Sequence, residues 1–370
     1  MISSSTTSAM SSLLRTRAIL VAVPTLLLLL VLAVINTDMT AEDGPANCLH
    51  EDFDCTPLRA SLGRLGHGLE DLPHRSKLWT GSVRLCVMFN LNSVGPSEAV
   101  INLLIAYYFP FFKHISLIFD GHPNYNFSSV PSFVDVLFCD SHLGFYQHKC
   151  IRQCIQQTNS ETEGYLYISD DMFINITKMA ELPKSEIWFL ENLKRSMSWI
   201  LNPPGGSWDW VWWAPPHNNS IKLKDTIDSF PTEWQDRLKR HHGFPDNFSV
   251  VMQSDIIFIP KRILPELLPV LEHIIVHQPE LFCEVATALA VNVATAGFVR
   301  LDPSGYLWGE RPAVGPQEDR EKAVAAIEEK AMSAHFVHAI KLGYPGQADM
   351  WVSFMEQQLH HTVLGKNNLK

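Results

Sequence analysis

The chain has 370 residues and a formal net charge of −10, with 46% hydrophobic and 10% aromatic residues. That charge, without any basic aromatic stripe, argues against nucleic acid as a partner. The apolar share is enough for a large packed core, and apart from a Ser/Thr-rich head the chain has no repeats or low-complexity tracts.

Residues 1–17 form that head. Ala18 to Ile35 follows as 18 uncharged residues dominated by Leu and Val, just long enough to span a bilayer core. Arg15 and Arg17 precede the run, and Asp38, Glu42, Asp43, Glu51, Asp52 and Asp54 come after it. The excess of positive charge on the N-terminal side predicts a type II signal anchor, with everything after residue 36 in a lumen. A cleavable signal peptide is the rival reading, though the head is long for one and a good small-x-small site is lacking. Residues 36–78 read as an acidic stem. Residues 79–200 and 201–345 are expected to form the two halves of one large domain, and 346–370 a C-terminal tail.

Asn-x-Ser/Thr acceptor triplets begin at Asn126, Asn175, Asn218 and Asn247, as suits a lumenal domain. Seven cysteines fit an oxidising compartment. Cys48 and Cys55 lie in the stem and are able to close a small loop. Cys150 and Cys154 fall on consecutive turns of one predicted helix, a poor geometry for bridging each other. Cys86, Cys139 and Cys283 sit in apolar runs and read as buried thiols. No spacing matches a zinc site.

From Val83 the chain alternates between short apolar strands and helices. Val83–Phe89 is a strand, Glu98–Tyr108 a helix stopped by Pro110, Ile115–Phe119 a strand ending at Asp120-Gly121, and Val134–Cys139 a strand ending at Asp140. Phe145–Gln157 has a helical apolar period, with His148, Lys149 and Arg152 on its polar side. Tyr165–Ser169 is the next strand and delivers Asp170-Asp171. Adjacent carboxylates are too costly inside a strand without neutralisation, so this pair belongs at a strand end, facing a cleft and a cation. Short strands alternating with helices predict an α/β fold with a mostly parallel sheet, which binds ligands beyond the strands' carboxyl ends. Asn90, Asp120, Asp140 and Asp171 would all lie on that rim, although polar residues also end strands simply to begin turns.

The second half is less regular. A Pro/Gly-rich loop at 202–207 leads into Trp208, Trp210, Trp212 and Trp213, where alternation predicts a strand with one buried face; the rings are either core or the floor of an acceptor groove. Val250–Pro260 reads as a strand interrupted by Ser254-Asp255, an acid either bonded in a turn or aimed at a site. Leu281–Leu289 opens a long apolar helix. Glu284 is its early carboxylate, favoured there by the helix dipole and also placed to act as a general base. A charged amphipathic helix is expected over Asp319–Ala334, and 334–343 alternates like a strand. His338 and Lys341 within that segment suit, respectively, a manganese ligand and a phosphate counter-charge.

Together these pieces resemble a Golgi-type glycosyltransferase of the GT-A fold. Within it they are most similar to the exostosin C-terminal domains and the STELLO-type group, over roughly residues 80–345. Ile168-Ser169-Asp170-Asp171 resembles their acidic metal motif, Phe282-Cys283-Glu284 the exostosin Cys-Glu-Asp segment, and His338-Ala339-Ile340-Lys341-Leu342 a STELLO-like His-Pro-x-Lys-Leu ending. The chain departs from the pattern at Ser169 and Val285, where exostosins carry aspartates. The resemblance implies a GT-A-like, Rossmann-like sheet flanked by helices and anchored by the N-terminal transmembrane helix in a Golgi or ER membrane. It implies a nucleotide-sugar donor and a glycan, glycoprotein or glycolipid acceptor. Mn²⁺ or another divalent cation would be held by Asp171, Asp170 and His338, with Asp170 also near the ribose and Asn90, Asp120 and Asp140 lining the nucleotide cleft. Lys341, or Lys149 and Arg152, would assist at the phosphates, and Glu284 or Asp255 would serve as catalytic base. A catalytically silent lumenal relative and a metal-dependent phosphohydrolase are the competing expectations.

Overall fold

The computed structural model describes residues 83–89, 98–108, 111–112, 114–120, 130, 134–141, 145–157, 162–203, 212–213, 217–305, 325, 327–338, 354–355 and 358. The chain divides into residues 1–52 and 53–370, and all the described residues belong to the second unit. Among them no helix is long and apolar enough to cross a membrane. The 18–35 segment, the stem with Cys48 and Cys55, Asn126, Asn90 and Lys341 lie outside the described residues.

In chain order the elements are β1 (Val83–Phe89), α1 (Glu98–Tyr108), β2 (His114–Phe119), β3 (Val134–Phe138), α2 (Gln147–Gln156), β4 (Gly164–Ser169), β5 (Met172–Ile174), α3 (Ile176–Met179), β6 (Trp188–Arg195), α4 (Met197–Leu201), α5 (Asn219–Ser229), α6 (Thr232–His242), β7 (Phe248–Pro260), α7 (Leu264–His277), α8 (Cys283–Ala294), β8 (Val299–Arg300) and β9 (Phe336–His338). Seven strands form one sheet in the order β3-β2-β1-β4-β7-β6-β8, and β5 pairs with β9 in a second. The run from β3 to β4 is parallel, β7 is antiparallel to both its neighbours, and β8 is parallel to β6. The expected α/β sheet is therefore present, parallel in its first half and reversed at β7.

The apolar runs are continuous because both faces of the sheet are covered. Every residue of β1 is buried, and alternation sends Val83, Leu85, Val87 and Phe89 to a core shared with α1. Cys86 and Met88 go to the opposite core, shared with α2, α7 and α8. β4 divides in the same way, Leu166 and Ile168 on one side, Tyr165 and Tyr167 on the other.

The structure corrects several expectations. Ser254-Asp255 does not interrupt its strand: β7 runs unbroken for 13 residues, because Ser254 is buried and hydrogen-bonded while Asp255 turns to polar neighbours. The described Trp212 and Trp213 lie in a turn; Trp213 is core and Trp212 half-buried. Cys86 and Cys139 are not free thiols. Cys154 bridges to Cys86 on β1, and Cys150 to Cys139 just after β3. Consecutive turns of α2 do keep the two helical cysteines from bridging each other, but they point both at the sheet, where each meets a different partner. Burial alone does not distinguish a thiol from a disulfide, so the apolar context was silent on this. The Asn175 side chain is held inside the fold: it caps α3 by accepting from Lys178 N (3.1 Å) and donates to Ala331 O (2.7 Å).

His148 on α2 is fully buried, and neither ring nitrogen finds a hydrogen-bond partner among the described residues. Burial, helped by Lys149, pushes its pKa down to about 3. The folded state thus keeps the ring neutral at pH values where the unfolded chain, titrating near 6.5, takes up a proton. The associated stability is complete above about pH 6.5 and lost as pH falls toward 3. Between pH 6.5 and 5 the wild type is expected to lose about 2 kcal/mol more than His148→Leu, measured by urea unfolding at each pH; parallel pH profiles would refute the assignment.

Candidate active site

β4 ends at Ser169, and the chain turns through Asp170-Asp171 into β5. The turn is anchored on both sides. Asp170 N donates to Met88 O (2.9 Å), extending the β1–β4 ladder by one residue, and Met172 pairs with His338 on β9. The acidic pair therefore sits where the large sheet hands over to the small one, at the carboxyl end of β4. Both side chains are buried, at 6% and 5% exposure.

The second sheet carries His338 to this turn. Its Nε2 lies 3.2 Å from Asp171 Oδ1 and 3.7 Å from Asp255 Oδ1. Asp255 comes from β7, whose register with β4 runs through Ile168↔Ile256, and Ser169 Oγ donates to its Oδ1 at 3.3 Å. Asp171, His338 and Asp255 thus form a row with the imidazole in the middle. Among the described residues no group of three or more His, Cys, Asp or Glu side chains is placed to hold a metal ion. Of the two spacings, the 3.2 Å between Asp171 Oδ1 and His338 Nε2 is close to that of two neighbouring ligands on one octahedral cation, about 3 Å apart, while the 3.7 Å to Asp255 is longer. Carboxylate oxygens with an imidazole nitrogen also suit a divalent metal such as manganese. Asp171 and His338 could offer a cation two donors, with the others coming from a substrate or solvent.

A buried polar layer supports the row. Gln147, the first residue of α2, donates through Nε2 to Ser169 Oγ (3.5 Å), and its Oε1 accepts from Ser254 Oγ (3.1 Å). Ser254 Oγ is also 3.3 Å from Cys283 Sγ at the start of α8. Burial first, then Glu284, holds the Cys283 thiol well above its ordinary pKa, so it is a neutral hydrogen-bonding group and not a nucleophile. Burial likewise raises the phenol of Tyr167, two residues before Ser169 on the same face of β4. Gln147, Ser254 and Tyr167 carried no signal in the sequence, since a glutamine at a helix start and a serine inside a strand are read as surface and turn.

The other expected site residues divide into separate groups. Glu284 lies in the first turn of α8, next to Cys283 and so beside the buried layer. The ring of Phe282 before it stacks on Trp212 at 4.8 Å, and both touch Phe145. Asp120 is committed to structure, accepting from Ser141 N (3.0 Å) and Ser141 Oγ (2.7 Å). Asp140, Lys149 and Arg152 do come together, lining a cavity of about 410 Å³ between the end of β3, α2 and Ile275 of α7. None of Asp170, Asp171, Asp255 or His338 contributes to it. Arg152 is there ion-paired with Glu272, and Lys149 Nζ stands 3.7 Å over the Tyr146 ring. The rim expected as one cleft is thus two clusters.

No protein-family profile matches the chain. Over 117 residues it is 26% identical to an Arabidopsis thaliana protein described as "Probable glycosyltransferase STELLO1"; the matched stretch is 30% of this chain and 14% of that protein. Among solved structures it is similar to the galactosyltransferase LgtC with donor and acceptor sugar analogues, at 8% identity and a TM-score of 0.39, covering 74% of this chain and 95% of the other. It is similar at 12% identity and a TM-score of 0.36 to a glycosyltransferase involved in glycosylation of the major capsid of PBCV-1, covering 75% of this chain and 100% of that one. Mouse xyloside xylosyltransferase 1 aligns at 10% identity and a TM-score of 0.31, covering 71% and 100%. The resemblance to a STELLO-type glycosyltransferase is thus present in the sequence.

Gln147→Leu removes both amide hydrogen bonds of the buried layer. It is expected to cost about 1–3 kcal/mol in urea unfolding; an unchanged midpoint would mean that the two serine hydroxyls are satisfied without it.

Proposed function

We propose that this chain is a metal-dependent glycosyltransferase of the secretory pathway, moving a sugar from a nucleotide-sugar donor to a glycan, glycoprotein or glycolipid acceptor. The observation that carries the reading is the buried meeting of Asp170-Asp171, at the carboxyl end of β4, with His338 from β9. A structure that buries adjacent carboxylates beside an imidazole at a sheet's ligand-binding edge has concentrated negative charge where a cation and a diphosphate are bound in α/β sheets. The STELLO1 similarity supports the same class of chemistry.

A divalent cation, Mn²⁺ in this reading, would be held by Asp171 and His338 with Asp170 beside them, and when bound it neutralises diphosphate charge as the sugar departs. The remaining tasks belong to side chains. Asp170 orients the nucleotide through its ribose. Glu284 takes the acceptor's hydroxyl proton in an inverting transfer, favoured by its neighbouring helix start and by its place next to the buried layer. Trp212, Phe282 and Phe145 form an aromatic cluster just before the start of that helix. Lys341 would approach the phosphates from the segment after β9. The two disulfides, the Asn-x-Ser/Thr triplets and the apolar 18–35 run support a lumenal domain on a type II anchor in the Golgi or ER.

Thermal unfolding of the full-length chain with a panel of nucleoside diphosphates, with and without Mn²⁺, tests this reading. One nucleotide should raise the melting point only with the metal, by the equivalent of about 2.7 kcal/mol at a hundredfold excess over Kd. Asp171→Ala should lose that shift and lower sugar transfer at least ~100-fold, a loss the size of one strong electrostatic contact to the transition state. Undiminished turnover in this variant, or phosphate release with no sugar reaching an acceptor, would sink the proposal.

A further inference from the structure

We propose that the cavity between the end of β3, α2 and α7 is a saccharide-binding site, which holds a neutral sugar unit of a glycan away from the acidic pair. That its occupant belongs to a glycan rests on the glycosyltransferase reading above; the site itself stands on its lining. The volume, about 410 Å³, is that of a small-molecule site. Lys149, Arg152, Gln153 and Gln156 line it at the spacing of one helical face, and fall within an arc of about 100° around α2. The opposite stripe of the helix, Cys150, Ile151, Cys154 and Ile155, is buried, and its two cysteines are bonded to Cys139 and Cys86. Crosslinks at consecutive turns stop α2 from rotating, so the polar stripe is held toward the cavity. Cys139 is itself part of the wall, which makes that side rigid as well.

The lining selects for hydroxyl groups without net charge. Lys149 and Arg152 are balanced by Asp140 in the wall and by Glu272, the ion-pair partner of Arg152. Two cations against two carboxylates leave no net attraction for a phosphate, and here the cavity departs from the diphosphate role expected of Lys149 and Arg152. Much of the remaining wall is amide. Gln153, Gln156 and Gln157 each offer donors and an acceptor, a pairing that suits a sugar hydroxyl, which is itself both. Gln153 is oriented in advance: its Nε2 donates to Phe138 O at 2.9 Å, leaving Oε1 as an acceptor. Ile275 of α7 adds an apolar patch against which the C–H face of a sugar ring can pack. The acids are remote from this wall. Gln147, which touches Ser169 beneath them, and Gln156 stand nine positions apart on α2, about 14 Å along its axis. The competing account is a polar recess that encloses water alone.

A glycan array probed with the purified full-length chain in EDTA separates these accounts without recourse to metal or turnover. Neutral oligosaccharides should bind ahead of sulfated and phosphorylated ones. Isothermal titration with the best-bound neutral oligosaccharide should then show Gln156→Trp, which fills the cavity from an exposed position of α2, raising Kd at least tenfold. Asp171→Ala should bind it as the wild type does, and the melting point of Gln156→Trp should match the wild type. No neutral oligosaccharide bound, a preference for the charged ones, or undiminished affinity in Gln156→Trp overturns the cavity site and leaves the metal-dependent reading standing. Affinity lost in Asp171→Ala but kept in Gln156→Trp moves the glycan to the acids and overturns the cavity site as well. Saccharide binding that Gln156→Trp abolishes, in a chain whose melting point no nucleotide shifts with Mn²⁺, keeps the cavity site and overturns the metal-dependent reading.

Discussion

The organisation of the site follows from one electrostatic constraint, the cost of keeping Asp170 and Asp171 side by side almost out of solvent. Burying a carboxylate without compensation costs several kcal/mol, and a like-charged neighbour adds to it. The fold answers by bringing an imidazole to 3.2 Å from Asp171 and a backbone ladder to the turn itself, through Asp170 N and Met88 O. Compensating that charge ties the small second sheet to the edge of the large one.

Sheet direction decides where the charge gathers. β3, β2, β1 and β4 run parallel and bring their carboxyl ends to one rim, while β7 runs the other way beside β4. At this reversal an acid from the middle of a long strand can lie beside the end of another. Asp255 reaches the site in this manner from the eighth residue of β7. His338 arrives from outside the main sheet, on a short strand paired with β5. Four side chains from a turn, a central strand and a small second sheet are thereby gathered at a point where parallel pairing stops.

Helix α2 is the second organiser. Its two disulfides tie it to β1 and to the end of β3, and its first residue enters the buried layer beneath the acids. Crosslinks at consecutive turns fix both the helix's position and its rotation about its axis, so Gln147 is delivered to Ser169 and Ser254 in a set orientation. The same helix carries Lys149 and Arg152 to the cavity beyond β3, away from the acids, because at about 100° per residue both lie on the side of the helix away from Gln147.

The alternation of strands and helices through β4 and the placement of Asp170-Asp171 at a strand end were legible in the amino-acid order alone, and His338 and Asp255, singled out there, do lie near the pair. Each rests on a local rule: apolar period, turn chemistry, or the cost of a charge in an apolar run. Which candidates meet was settled by long-range packing. Asp120 spends its carboxylate on Ser141, Asp140 opens onto a different cavity, and Cys86 and Cys139 bond to cysteines 68 and 11 residues away. Those outcomes depend on strand order, register and the rotation of α2, which are set by packing between segments far apart in the chain. Periodicity reports which face of a segment is buried, and is silent about which distant segment covers it.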